Sequence, residues 1–172
     1  QSDTGDRLSA RASELADREG AQLADRTAGS KALFERALDS MPMGVPSSFQ
    51  AGDPYPIYLE RGQGVSVWDV DGNEYLDFHG GFGVGMCGHA HPKIVEAVDA
   101  AVRSGTHFAA PTPVTVAMAE ELCRRFDLDQ VRFTNSGTEA TMDAIRVARA
   151  ATNRELVVKI EGSYHGHHDT VM

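Results

Sequence analysis

Apolar positions recur with two periods along this chain, and the changes of period mark its elements. Leu8, Ala12, Leu15 and Leu23 fall close to one helical face, which predicts an amphipathic helix within residues 1–29. Gly29 and Ser30 interrupt that stretch, and Ser30 has the chemistry of an N-cap. Leu33, Phe34, Ala37, Leu38 and Met41 follow at helical spacing until Pro42 and Gly44 end the second helix. Pro46, Gly52, Pro54 and Pro56 make the next stretch an irregular linker. Ile57–Glu60, Val65–Val70 and Glu74–Phe78 then read as β runs, and Asp71-Gly72-Asn73 joins the last two as a hairpin.

After the glycine-rich stretch His79–His91, Pro92 opens a helix through about Ser104, with Ile94, Val95, Ala97, Val98 and Val102 inward. A second helix is expected over about Val114–Phe126. Gln130–Thr134 then reads as a strand, Gly137–Ala151 as a helix and Glu155–Ile160 as a strand. That is the βαβ grammar of a parallel sheet. Two parallel strands are too few for a finished α/β domain, so the chain is expected to be part of a longer one. The 1–29 helix either packs on another surface, such as a second subunit, or stands as a frayed extension. The pattern allows both.

Composition narrows the function classes. Of 172 residues, 25 are acidic and 16 basic, a net charge of −9. A nucleic-acid-binding surface normally shows a basic face, so none is expected. No apolar run is long enough to span a membrane, and QSDTGDRLSA has neither the basic nor the apolar part of a secretory leader. Cys87 and Cys123 lie far apart and match no metal or redox spacing, which fits a reducing cytoplasm.

Asn135-Ser136-Gly137-Thr138-Glu139-Ala140 leaves a strand run and enters a helix. The unpaired N–H groups and positive dipole end of a helix start suit a phosphate. Gly137 allows close approach, and Ser136 and Thr138 add hydroxyls. Plain capping by Ser136, with Glu139 completing a capping box, explains the same residues. Ser163-Tyr164-His165-Gly166-His167-His168 follows the next strand run, at the same carboxyl edge where ligands of open α/β sheets sit. Tyr164 is placed to lie on a planar ligand there. The histidines and Asp169 hint at a metal, but adjacent His167 and His168 converge poorly, and a solvent-facing loop is the expectation for that pair. His89 and His91 read as structural. Asp69, Asp71 and Asn73 mimic the start of a calcium loop, but the glycine and the closing glutamate are misplaced, so no metal is expected.

Five stretches carry a resemblance: Leu33–Ala37, Val67–Tyr75, Gly88–Pro92, Val131–Ala140 and Tyr164–His167. In this order they resemble the N-terminal part of class III pyridoxal-phosphate-dependent aminotransferases, and most of all the glutamate-1-semialdehyde 2,1-aminomutase group. The resemblance covers about Ser30 to the end. It implies an α/β, fold-type I transferase: 1–29 as a helical extension, 30–92 as small-domain helix and β segment, and 93–172 as the first part of the large parallel-sheet cofactor domain. It implies a homodimer with active sites at the subunit interface and pyridoxal 5′-phosphate as cofactor. Ser136, Gly137 and Thr138 match the residues that hold the phosphate, Tyr164 the residue stacked on the pyridine ring, and His165 its neighbour.

The family's Schiff-base lysine and pyridinium partner match nothing here, since Lys31, Lys93 and Lys159 stand outside the motifs. Both are expected beyond Met172, and residues 1–172 alone are expected to be inert. Gln50 stands where the aminomutases carry a carboxylate-binding arginine, and Phe82 where they carry a tryptophan. A glutamine cannot replace an arginine's charge or its bidentate fork. Transfer between an amino acid or amine and a keto or aldehyde acceptor is therefore favoured over intramolecular transfer of the aminomutase type. A phosphate-binding dimerisation module without activity is the alternative from another class.

Overall fold

The break between the first two helices falls at Thr27. In the computed structural model, which describes residues 2–172, α1 runs Ser2–Arg26 and α2 runs Ala28–Ala37. The Thr27 hydroxyl lies 2.6 Å from the Leu23 carbonyl, to which it donates, and 3.0 Å from the Tyr55 hydroxyl. Ser30, expected as the N-cap, instead lies inside the first turn of α2 and is fully buried. Its Oγ accepts the Tyr58 amide at 3.1 Å. The cap comes from outside the helix. The Asp71 carboxylate accepts the Gly29 amide at 2.6 Å and the Ser30 amide at 3.0 Å. A Cβ on Gly29 would sit 2.8 Å from Asp71 Oδ1, so the glycine is what allows the approach.

Asp71 reaches α2 because a three-stranded sheet holds it there. β1 (Leu59–Gln63), β2 (Ser66–Asp69) and β3 (Glu74–Leu76) form an antiparallel meander in the order β1-β2-β3. Val67 pairs with Tyr75 and Trp68 with Glu74 across the expected hairpin, and Gly72 takes φ 85° in its turn. β1 starts two residues later than the expected run, and its register shifts between Leu59 and Arg61. The Arg61 guanidinium then lies 3.6 Å from the Trp68 ring centroid, a cation–π contact.

Asp69 is fully buried at the hairpin mouth. Its carboxylate accepts the amides of Asp71 (3.0 Å) and Asn73 (2.8 Å), the Asn73 side-chain amide (2.8 Å) and the Tyr75 hydroxyl (2.7 Å). Burial pushes this carboxyl up, but the four hydrogen bonds outweigh it and the net shift is downward. Burial, reinforced by Asp69, pushes the Tyr75 phenol up to about 12. Asp69, Asp71 and Asn73, the would-be calcium residues, thus bind their own backbone and α2.

Two short 3₁₀ turns, Pro42–Gly44 and Ser48–Gln50, lie in the linker. After β3 come a tight turn, α3 (Gly80–Gly83), and then α4 (Pro92–Arg103), with Pro92 at its first position. The chain divides into two units, 1–106 and 107–172. The second contains α5 (Pro113–Phe126) and α6 (Gly137–Thr152), close to their expected bounds.

Two further expectations need correction. Ile94, Val95, Val98 and Val102 of α4 share a helical face but are 47–58% exposed. No residue of α4 is buried, and none of α5 or α6 is. The runs 130–134 and 155–160 are not strands, and neither joins a ladder among the described residues. A parallel strand needs neighbours on its edges and helices on both faces, and no such set is present among the described residues. No helix of the described residues is long and apolar enough to cross a membrane.

Replacing Asp71 with alanine leaves two amides of the α2 N-terminus unpaired and is expected to cost about 1–2 kcal/mol, read by urea unfolding. An unchanged midpoint would show that water caps α2 equally well. Because the Asp69 carboxyl is depressed in the fold, its contribution is complete above about pH 4 and drains as pH falls through the folded value. An acid titration of Asp69→Asn should therefore lose less stability below pH ~4 than the parent protein does.

Candidate functional site

Ser136 enters α6 from an extended backbone (φ −151°, ψ 161°), and its Oγ accepts the Glu139 amide at 3.2 Å. Glu139 turns back and accepts the Asn135 amide at 2.6 Å. The capping arrangement therefore exists, with the carboxylate one residue upstream of the usual amide. It uses lone pairs of the Ser136 oxygen and leaves its hydrogen to donate elsewhere. The amides of Gly137 and Thr138, first and second in the helix, meet no acceptor among the described residues. A Cβ on Gly137 would enter open space, with nothing within 4 Å.

The 163–168 loop is clamped to this same turn. Gly166 is buried at φ 107°, where a Cβ would lie 2.9 Å from Thr141 Oγ1 and 3.0 Å from Thr138 Cα. The His167 amide donates to Thr138 Oγ1 at 3.1 Å, which again leaves a hydroxyl hydrogen unused. Thr141 Oγ1 lies 2.8 Å from the His165 carbonyl and 3.1 Å from the carbonyls of Gly137 and Thr138. One hydroxyl hydrogen serves one of these at a time, and the His165 contact is the shortest. Sequence reasoning passed over Thr141. Its signal was position: one helical turn after Gly137, on the face that meets the loop.

The structure thus brings Ser136, Gly137 and Thr138 together with the segment bearing Tyr164 and His165. The Tyr164 side of that loop is exposed, at 68% for Tyr164. His165 Nε2 is buried without a partner among the described residues, and the ring lines a recess with Thr141, Ile145 and Val171. His167 is exposed as expected, but His168 is half-buried, with Nε2 3.3 Å from Thr141 Oγ1. Packing against α6 draws it out of solvent.

Gln50 and Phe82 both belong to the first unit, where the residue next to Gln50 meets Phe82. Gln50 ends the 48–50 turn, and the Phe49 ring meets the Phe82 ring edge-on, with centroids 6.1 Å apart. Phe82 sits at φ 61° in α3, and its amide donates to His79 Nδ1 at 3.3 Å. The two rings of that pair lie 4.1 Å apart. Just upstream, Asp77 Oδ1 accepts the His79 and Gly80 amides, both at 2.9 Å. Asp77 Oδ2 lies 2.7 Å from His89 Nε2. The Gly80 amide first, and His89 next, hold the Asp77 carboxyl below its usual range. His89 also pairs through its backbone with Gly64, both bonds at 2.8 Å, which is the structural role expected of it. Among the described residues no three His, Cys, Asp or Glu side chains gather as a metal would need.

The family model described as Aminotransferase class-III matches residues 48–172. The chain is 46% identical over 153 residues to the glutamate-1-semialdehyde 2,1-aminomutase of Sorangium cellulosum, a match covering 87% of this chain and 35% of that one. Among solved structures, a transaminase with PLP bound is 48% identical with a TM-score of 0.82, over 84% of this chain and 34% of that one. An omega-transaminase from Sphaerobacter thermophilus is 46% identical with a TM-score of 0.79, over 81% and 32%. The chain spans about a third of the length of the relatives it matches.

A Gly166→Ala substitution combines positive φ with a clash against α6. It should destabilise the second unit by about 1–3 kcal/mol and make 163–168 a protease-sensitive site. Wild-type resistance to limited proteolysis in that variant would refute the clamp.

Proposed function

This chain belongs to the class-III aminotransferases, enzymes of fold-type I, and on that premise we propose that the full-length protein is a pyridoxal 5′-phosphate-dependent aminotransferase. Two amides without an acceptor among the described residues, at Gly137 and Thr138, stand beside two hydroxyls that keep a hydrogen to donate, and that observation carries the reading. Four donors at a helix N-terminus suit a phosphate dianion, and the open space before Gly137 lets its oxygens reach the backbone. The residues therefore fit the cofactor. When bound, pyridoxal phosphate supplies an electron sink for charge developing at the substrate's amine carbon.

The chain's own part in this proposal is binding and orientation. Ser136, Gly137 and Thr138 hold the phosphate. Tyr164 lies against the pyridine ring, with His165 beside it, and Thr141 and Gly166 fix the height of that loop over α6. Gln50 and Phe82 bear on the substrate. The covalent lysine and the pyridinium partner lie outside residues 1–172, and this segment alone is inert. Residues 30–92 contribute to the small domain and 93–172 to the start of the cofactor domain. The active protein is a homodimer with active sites at the subunit interface, and its two free cysteines suit the cytoplasm.

The substrate is an amine or amino acid paired with a keto or aldehyde acceptor. Gln50, unlike an arginine, offers a substrate carboxylate no charge. The identity to the Sorangium aminomutase favours a second reading, intramolecular amino transfer. Turnover that stops without an added keto acceptor supports the transaminase; turnover of a lone amino aldehyde supports the mutase.

Borohydride reduction of the full-length protein with pyridoxal phosphate should give one cofactor adduct in the intact mass. Its absence would sink the enzyme reading and leave a phosphate-binding module. Ser136→Ala and Thr138→Ala should each weaken cofactor binding about tenfold, followed by absorbance titration. Affinity unchanged within about twofold in both would remove these residues from the phosphate site.

A further inference from the structure

The 79–89 loop is closed by one carboxylate. Asp77 Oδ1 takes the two amides at the start of the loop, His79 and Gly80, and Oδ2 takes the ring of His89 at its end. His89 is itself fixed to the β1–β2 turn. Its amide and carbonyl pair with Gly64, and its ring lies so close over Gly62 that a Cβ there would come within 2.6 Å of His89 Cγ. The other end of the relay is Phe82. His79, oriented by Asp77, accepts the Phe82 amide and packs edge-on against its ring. Phe82 then meets Phe49, next to Gln50. Phe82 holds positive φ and is 72% exposed, so little other packing decides where its ring points.

From this geometry we infer that Asp77 and His89 are positioning residues for substrate recognition. Their clasp sets the place of Phe82 and, through Phe49, of the turn bearing Gln50. The inference rests on the proposed role of Phe82 at the substrate. Asp77 touches neither substrate nor cofactor in this scheme. Its loss should appear in KM for substrates whose side chain reaches Phe82, and not in cofactor binding or in kcat.

The test uses the full-length, cofactor-loaded protein. Asp77→Ala and His89→Gln are each expected to raise KM about tenfold, with kcat and the bound-cofactor absorbance kept within about twofold. Asp77→Asn retains an acceptor for the two amides and should recover about half of that loss on a logarithmic scale. Phe82→Ala should raise KM by itself, and adding His89→Gln to it should cost less than about twofold more. That lack of additivity is a result no general weakening of the fold produces. If Asp77→Ala fails to fold, His89→Gln, which breaks one arm of the clasp, carries the test. A KM response to Phe82→Ala with none to His89→Gln overturns the clasp alone, as does full additivity of the two. No response to Phe82→Ala overturns the substrate role of that ring and the inference with it.

Discussion

Asp69 is the carboxylate on which the first unit depends. It is fully buried, and it is tolerated there because four donors within the 69–75 hairpin converge on it. That convergence fixes the turn, and the turn fixes Asp71 two residues on. Asp71 then caps α2 from outside, so that helix and sheet share a charged contact where two apolar surfaces would ordinarily meet. Asp77 repeats the device one strand later, with two loop amides and a histidine ring as its donors. Hydrogen bonds to a carboxylate are about twice as strong as neutral ones and are directional. They suit a segment that buries few apolar side chains and still has to hold its loops in place.

Glycine supplies the other half of the construction. Gly29 admits Asp71, Gly62 admits the His89 ring, and Gly166 admits the first turn of α6. At each a Cβ would come within 3.0 Å of a neighbouring atom. These are contacts between segments distant in sequence, in which a side chain of one segment closes on the bare backbone of the other. On the glycine's side no rotamer can adjust to absorb an error. The glycine of the proposed phosphate site is of the opposite kind. Gly137 is crowded by nothing, and its missing side chain leaves room for something outside the chain.

Elements whose signals are local were legible in the sequence. Pro92 at a first helical position and Ser136 at an N-cap sit where α4 and α6 begin, and α5 begins one residue before its expected start at Val114. The Asp71-Gly72-Asn73 turn names its own hairpin. What failed was non-local. Runs 130–134 and 155–160 carry strand composition, but a ladder is made by partners, and composition cannot supply them. The apolar face of α4 reads as buried for the same reason, because periodicity reports a preference for cover and not the cover itself. Ser30 was misread because its neighbour in space is Tyr58, 28 residues away, and nothing near it in sequence says so. Thr141 went unnoticed because its partner, the 163–168 loop, lies 24 residues off.

The observed helix cap at Ser136 and the proposed phosphate site do not exclude each other. A hydroxyl has two lone pairs and one hydrogen. Capping draws on the first, through the Glu139 amide, and anion binding draws on the second. The cap also leaves the first two helical amides untouched, because its geometry reaches the third. The same holds at Thr138, whose oxygen receives the His167 amide while its hydrogen remains. Both hydroxyls are therefore oriented by the fold before any ligand arrives, and the amides between them are fixed by the helix. A site assembled this way loses little side-chain entropy on binding, which is where preorganisation gains affinity. The capping signature in the sequence and the proposed anion site are two uses of one hydroxyl.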